Sequence, residues 1–375
     1  MKVLFLADGN SAHTKNWVNL LTKHGIDIFL FSLTSFDKSN YRNNKFVDVK
    51  FDLNDTNTDD SDFSKIKYLS ALRLLRKTIK KFNPDILHAH YATSYGLLGV
   101  LTRFRPLVIS VWGSDVYFFP KKSILHKCLL KFNLKFADYI LSTSEAMASE
   151  TKLYTKKTIE ITPFGVDIDL FKPKKVESLF EKNSIVIGTV KSLDEVYGIE
   201  YLIRAFHILK KKYSNINLLL IGGASRSNTD YSDYLKNLVH ELNIEKSTIF
   251  TGRVSHELVS DYHNMLSVPV YVSLRESFGV SVIESQSCGK AVIVSNVGGL
   301  PEVIKSNETG FLVNSGDEDA TAMAIERLIL DEELRLLMGK NARKWVIENF
   351  SQEIVAQRMI TIYQNILKEI PAINK

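Results

Sequence analysis

The sequence predicts an α/β protein made of two doubly wound, parallel-sheet domains. Three observations carry this. Short apolar runs alternate with amphipathic segments along the chain. The alternation pauses over residues 163–183 and then begins again. A length of 375 residues suits two domains, at roughly 100–200 residues each.

In the first half the predicted strands are Val3–Ala7, Ile28–Ser32, Ile86–His90, Leu107–Val111, Tyr139–Ser142 and Ile159–Thr162. The segment Thr14–His24 reads as an amphipathic helix stopped by Gly25. In the second half the strands are Ile185–Val190, Leu218–Ile221, Thr248–Thr251, Val268–Val272 and Ala291–Ser295. Its helices are Gly198–Tyr213, Asp230–Asn243, His256–Met265 and Gly279–Cys288. Apolar runs buried on both faces and separated by helices belong to parallel sheets. The seam carries Pro163, Gly165, Pro173 and the Lys172–Lys175 cluster, and it lacks periodicity. The expected division is therefore an N-terminal domain over 1–165, a linker over 166–183 and a C-terminal domain over 184–350. A last helix in 351–375 can pack with either domain.

Composition narrows the class. Hydrophobic residues make up 45% and charged residues 24%, an ordinary globular balance. No apolar run approaches the ~18 residues of a membrane span, and the apolar start Val3–Ala7 ends at Asp8, too short for a signal peptide. Cys128 and Cys288 supply no disulfide framework and no metal spacing, so a reducing cytoplasm is expected. Charge is uneven: residues 1–165 hold 24 Lys and Arg against 15 Asp and Glu, the remainder 24 against 27. The basic half points either to an anionic partner or to a solvated lysine-rich surface.

Ligands of open parallel sheets bind beyond the carboxyl ends of the strands, which selects four segments. The first is Glu276-Ser277-Phe278-Gly279-Val280-Ser281-Val282-Ile283-Glu284, after a strand and into a helix. Small residues at a helix start let backbone N–H groups reach a phosphate, and the helix dipole favours its charge. Carboxylates at Glu276 and Glu284 accept hydrogen bonds from sugar or ribose hydroxyls. Alone, this spacing also fits a helix cap and a surface glutamate. The second segment is Ile187-Gly188-Thr189-Val190-Lys191 with Tyr197-Gly198, where Lys191 is a candidate phosphate-binding cation. Arg226, after Gly222-Gly223, is another. The third is Asp8-Gly9-Asn10-Ser11-Ala12-His13-Thr14. Gly9 permits a tight turn and close ligand approach, and Asn10 or Ser11 can equally cap the helix. The fourth joins His88-Ala89-His90-Tyr91 to Val111-Trp112-Gly113-Ser114-Asp115. Strand alternation points the two histidine rings the same way. With no third ligand nearby, a metal site is not expected, and His90 and Asp115 remain the polar candidates.

Around the first segment the context is distinctive. Val297-Gly298-Gly299-Leu300-Pro301-Glu302, the Cys288-Gly289-Lys290 turn and Gly310-Phe311-Leu312-Val313 all stand in register with the paired glutamates. The stretch Ser273–Val313 closely resembles the signature region of glycosyltransferase family 4. The resemblance extends loosely to Ser142-Thr143-Ser144-Glu145 and Ile161–Asp167. It implies a GT-B fold, two Rossmann-like domains facing across a cleft, and a retaining transferase of hexosyl type. By position it assigns the donor sugar to Glu276, the ribose to Glu284 and the diphosphate to the Phe278, Gly279 and Val280 backbone. Gly188 and Lys191 or Arg226 join the diphosphate group, Arg253 and Val254 lie by the donor base, and Gly9, Asn10, Ser11 and His13 form the acceptor-side loop. Asp115 and His90 join Glu276 as catalytic candidates. The family's usual residues are replaced at Thr189 (an Arg), Tyr197 (a Lys), Trp112 (a His) and Phe164 (an Asn).

The expected function is transfer of a sugar from a nucleotide diphosphate sugar to a saccharide or lipid-linked acceptor in cell-surface polysaccharide or glycolipid synthesis. Neither cofactor nor metal is expected, because cationic side chains and a helix dipole supply the positive field. Nucleic acid is not an expected partner; an anionic membrane surface is. Arg73, Arg76, Lys77, Lys80 and Lys81 share one helical face opposite Leu72, Leu75, Ile79 and Phe82, and Phe118–Lys135 mixes aromatics with lysines. The place is thus the cytoplasm, peripheral on the inner face of the cell membrane. The rivals are a GT-B epimerase of nucleotide sugars and a non-catalytic partner subunit. A dinucleotide dehydrogenase is disfavoured, since no G-x-G-x-x-G follows a strand.

Overall fold

The computed structural model describes residues 1–42, 45–49, 70–224 and 229–373. The chain divides into two compact units, Met1–Phe164 with Val355–Lys375, and Gly165–Ile354.

In the first unit the strands are β1 (Lys2–Leu6), β2 (Asp27–Ser32), β3 (Phe46–Asp48), β4 (Ile86–His90), β5 (Leu107–Val111), β6 (Tyr139–Ser142) and β7 (Ile159–Ile161). They form one sheet in the order β3-β2-β1-β4-β5-β6-β7, parallel throughout. The helices between them are α1 (Ala12–Lys23), α2 (Ala71–Phe82), α3 (Ser94–Thr102), α4 (Ser114–Tyr117), α5 (Ile124–Phe136) and α6 (Glu145–Thr151). Alternation along the strands divides the core. Leu4, Leu6, Leu87, Ala89, Leu107 and Ile109 pack with Leu75 of α2, Leu98 of α3 and Leu130 and Leu134 of α5. These three helices therefore cover one face of the sheet. Phe5, His88 and His90 project from the other face.

In the second unit the strands are β8 (Ile185–Val190), β9 (Ile216–Ile221), β10 (Thr248–Gly252), β11 (Val268–Tyr271), β12 (Val292–Ser295) and β13 (Gly310–Val313). Their order is β10-β9-β8-β11-β12-β13, again parallel. The helices are α7 (Ile199–Lys210), α8 (Thr229–Glu241), α9 (His256–Met265), α10 (Val280–Ser287), α11 (Glu318–Leu330), α12 (Glu332–Phe350) and α13 (Gln352–Ile373), the last crossing into the first unit at Val355. Tyr363 of α13 is fully buried there, donating to or accepting from His88 Nδ1 at 2.6 Å.

Strand order reverses between β1 and β4 in the first sheet and between β8 and β11 in the second. At such a switch point the loops leaving two adjacent strands turn apart and leave a crevice at their carboxyl ends. The loops after β8 and β11 are those that hold Lys191 and Glu276. Two short strands, β3 and β13, stand at sheet edges and were not among the predicted strands. Three or four residues are too few for a period to show.

Candidate active site

The geometry in the second unit starts from backbone bonds between the two switch-point loops. The Leu274 N–H donates to the Val196 carbonyl at 2.8 Å. Gly198 has a φ of +61°, and a Cβ there would lie 2.2 Å from the Val272 carbonyl oxygen. A side chain at 198 would push these loops apart. On the far side of the glutamate, the Gly299 N–H donates to the Glu276 carbonyl at 3.1 Å, and a Cβ at Gly298 would sit 1.8 Å from that oxygen. Glu276 is thus held on both flanks by glycine-dependent contacts.

Within this frame Lys191 Nζ forms an ion pair with Glu276 Oε2, and both side chains are almost covered, at 12% and 11% exposure. The ammonium also lies over the Tyr197 ring, 4.4 Å from its centroid. That distance is well inside the range of a cation–π contact. Burial opposes the charge on Lys191, but Glu276, Tyr197 and Glu284 outweigh it and hold the amine above the usual lysine range. Lys191 is therefore a fixed cation, and Tyr197 has taken up a supporting role beside it. Sequence reasoning noted Tyr197 only as a replaced lysine. Its proximity to the residue six positions before it comes from the turn at Asp194–Gly198.

Next along the chain, Phe278 is buried with its ring 5.7 Å from Phe350. Gly279, at φ +109°, precedes α10. The first turn of α10 presents N–H groups that no helical carbonyl can accept. Glu284 lies inside α10, and its Oε2 is 3.2 Å from Nε2 of His263 on α9. Lys191, Glu276, Glu284 and the α10 start are thus neighbours. Arg253 and Val254 follow the edge strand β10. Val254 packs with Val186, Val190 and Leu219, and Arg253 is exposed. Arg226 lies outside the described residues.

Another candidate here is part of a strand. Gly188 lies within β8, where a Cβ would meet the Leu219 carbonyl oxygen at 2.1 Å. Its missing side chain serves the approach of β8 to β9.

In the first unit the candidates are more deeply buried. Asp115 is fully buried. Its Oδ2 accepts the Ala92 N–H at 2.8 Å, and its Oδ1 accepts Gly113 N–H at 2.9 Å and Trp112 N–H at 3.2 Å. Burial outweighs these bonds and raises its pKa. Asp115 ties the loop after β5 to the loop after β4, with both oxygens engaged by backbone N–H groups. His90 is 1% exposed, its ring 4.0 Å from His88, 4.4 Å from Phe5 and 4.9 Å from Trp112. Burial, with His88 adding to it, holds its pKa well below the histidine range. It is a ring held neutral within the core. His88 bridges Tyr363 and Ser110, at 2.6 and 2.7 Å, and burial brings it down to about 3. Among the described residues no three His, Cys, Asp or Glu are placed to hold a metal ion.

The loop after β1, the acceptor-side candidate, is built without glycine-specific backbone. Gly9 lacks a side chain because the Phe36 ring stands 2.3 Å from where a Cβ would be. Asn10 Nδ2 donates to the Ser35 carbonyl at 2.8 Å, so it staples the loop to the segment after β2. Ser11 occupies the cap position of α1 without a side-chain cap bond. His13 stacks on Phe164 at 4.0 Å and meets Trp112 edge-on at 5.7 Å. Three residues that depart from or flank the family pattern thus form one aromatic group.

Comparison with known proteins gives the family. Residues 2–144 match the family described as Glycosyl transferase 4-like, and residues 171–345 match Glycosyl transferases group 1. The capsular polysaccharide biosynthesis glycosyltransferase CapM of Staphylococcus aureus is 30% identical, over 94% of this chain and 93% of that one. N-acetyl-alpha-D-glucosaminyl L-malate synthase of Bacillus anthracis is 28% identical over 80% of each chain. Among solved structures, sucrose-phosphate synthase of Thermosynechococcus elongatus superposes with a TM-score of 0.83 at 21% identity, covering 98% and 99%. Anabaena HepE in complex with UDP and glucose gives 0.80 at 18% identity, covering 97% and 100%. The fold is GT-B, and with the paired glutamates set beside a buried lysine at the switch point of its second sheet, the chain belongs to the group 1, family 4-like glycosyltransferases.

Proposed function

We propose that this enzyme is a retaining transferase that takes a hexosyl group from a nucleoside diphosphate sugar and passes it to a saccharide or lipid-linked acceptor. The observation that carries the reading is the Lys191 ammonium, held between Glu276 and the Tyr197 ring at the carboxyl end of β8. A cation fixed next to a helix start is suited to a diphosphate leaving group. In the proposed reaction Lys191 and the α10 N–H groups take the charge that develops on the departing β-phosphate. Glu276 accepts hydrogen bonds from the donor sugar, and Glu284 from the ribose. The acceptor hydroxyl attacks from the face that the diphosphate leaves, and a phosphate oxygen receives its proton. Anabaena HepE, solved with UDP and with glucose, shares the fold. CapM, a capsular polysaccharide glycosyltransferase, supports a cell-surface saccharide product.

The test is a screen of UDP-, GDP-, ADP- and dTDP-hexoses against free and lipid-linked sugars, with chelator present throughout. The expected result is a glycoside whose anomeric configuration equals that of the donor, formed at an undiminished rate with chelator. Inverted product overturns the retaining mechanism. Activity that chelator abolishes and magnesium or manganese restores overturns the metal-free one. A donor epimerised without acceptor favours the epimerase reading.

The same reading includes docking of the first unit on an anionic membrane surface at the cytoplasmic side. Among the described residues no helix is long and apolar enough to cross a membrane. The two basic helices, α2 and α5, cover the same face of the first sheet, with α3 between them. On α2, Arg73, Arg76, Lys77, Lys80 and Lys81 are exposed. On α5 an exposed apolar stripe, Leu125, Phe132 and Phe136, runs beside Lys127, Lys131 and Lys135. Ile124, at the start of α5, is 80% exposed. Such a pairing suits insertion at a headgroup layer, and basic residues there contribute about 1 kcal/mol each. Co-sedimentation with phosphatidylglycerol-containing vesicles is expected to rise with the anionic fraction and to fall as salt is added. Equal binding to neutral phosphatidylcholine vesicles, or none to either, overturns it.

A further inference from the structure

We infer that His263 is a positioning residue for Glu284, and that it sets the enzyme's grip on the donor ribose. The inference rests on the reading of Glu284 as the ribose ligand. His263 comes from α9, 21 residues before Glu284, and its ring is fully buried. Its Nε2 lies 3.2 Å from Glu284 Oε2, and its Nδ1 lies 2.8 Å from Ser285 Oγ. Ser285 Oγ is in turn 2.7 Å from the Tyr271 hydroxyl. A carboxylate only accepts, so Nε2 must carry the hydrogen in the bond to Glu284. In the neutral ring Nδ1 is then an acceptor, Ser285 donates to it, and the Tyr271 hydroxyl donates to Ser285. Burial holds the Tyr271 phenol protonated, above its ordinary value. The four groups form a chain with one direction of donation, from the sheet strand β11 to the carboxylate.

The chain solves a specific mechanical problem. Glu284 is a long side chain on a helix surface, and its rotamers cost entropy to restrain. Ring Nε2 binds Oε2, and the Glu284 side chain keeps 14% exposure. His263 is itself locked by Ser285, and Phe171 meets its ring edge-on at 5.7 Å. A carboxylate fixed in this way before the ligand arrives binds hydroxyls without paying for its own ordering.

The ribose hydroxyls provide the readout. Calorimetry on the full chain is run with UDP, GDP and ADP, and the tightest of the three is compared with its 2′,3′-dideoxy counterpart. Wild type is expected to prefer the ribonucleotide by roughly 10- to 100-fold, the range for hydrogen bonds to a charged group. His263→Gln keeps a donor near the place of Nε2 and is expected to keep most of that preference. His263→Asn keeps a group near the place of Nδ1, leaves Glu284 unheld, and is expected to cut the preference to within about 3-fold. A role in packing alone ranks the two by volume and weakens both nucleotides equally. Ser285→Ala removes the partner of Nδ1 while leaving the Nε2 donor in place, and is expected to fall between wild type and His263→Asn. Glu284→Ala separates the two ideas. If it abolishes the preference while His263→Asn and Ser285→Ala leave it intact, the positioning role is overturned. If Glu284→Ala itself leaves the preference intact, the ribose assignment fails and this inference with it. Binding of none of the three nucleotides overturns the reading for UDP-, GDP- and ADP-sugars, and this inference with it.

Discussion

Replacement of Glu276 by alanine is expected to lower kcat by about 10²- to 10³-fold, the effect of removing one preorganised polar group from a transition state. The expectation depends on when the carboxylate matters. If its hydrogen bonds to the donor sugar tighten as the glycosidic bond breaks, kcat falls and KM moves little. Glu276 also neutralises Lys191, so its loss leaves a nearly covered cation without its anion. Breaking a buried pair from one side costs up to about 3–5 kcal/mol. Melting of Glu276→Gln and Glu276→Ala measures that second effect separately, since the loop is held by the Gly299 and Leu274 backbone bonds rather than by the carboxylate. A folded variant with wild-type turnover sinks the assignment.

The second large effect is expected at Lys191. Lys191→Met removes the fixed cation next to the α10 start, and kcat is expected to fall about 10³-fold or more, since leaving-group charge is then left to the helix N–H groups. Lys191→Arg keeps the charge, and stacking on Tyr197 remains available to a guanidinium, so a partial recovery is expected. The paired variant Lys191→Met with Glu276→Gln distinguishes activity from stability. Removing both charges is expected to restore the melting temperature toward wild type, because neither ion is left alone. It is expected to leave turnover as low as in the worse single variant, because the two residues act on one transition state. A double variant that recovers turnover shows that the pair is structural, and the diphosphate cation must then be sought elsewhere, Arg226 first.

How a residue can be legible as chemistry while its surroundings are not is clearest at Asp115 and His90. Both stand where a strand ends in a parallel sheet, and residue type and position alone make them candidates. What surrounds them is three-dimensional. Three backbone N–H groups from two loops converge on the Asp115 carboxylate, and two of those donors, Trp112 and Gly113, lie so near in sequence that local reading could have flagged an anchor. His90 is enclosed by Phe5 from β1 and Trp112 after β5, residues more than 20 positions away on either side. Burial depends on those partners, and no local pattern encodes it.

From its sequence alone the chain determined its parallel α/β class, its two halves and the Glu276–Glu284 segment, because these depend on periodicity and on spacing within one loop and helix. The tertiary structure alone decided which cation meets Glu276, that Tyr197 lies beneath it, and that His263 grips Glu284. Those relations run between β8 and β11 and between α9 and α10, and they exist because strand order reverses at β8. A sequence records the neighbours along a strand or a helix turn. Pairings across a switch point are set by which strands share a sheet, and that is a property of the folded chain.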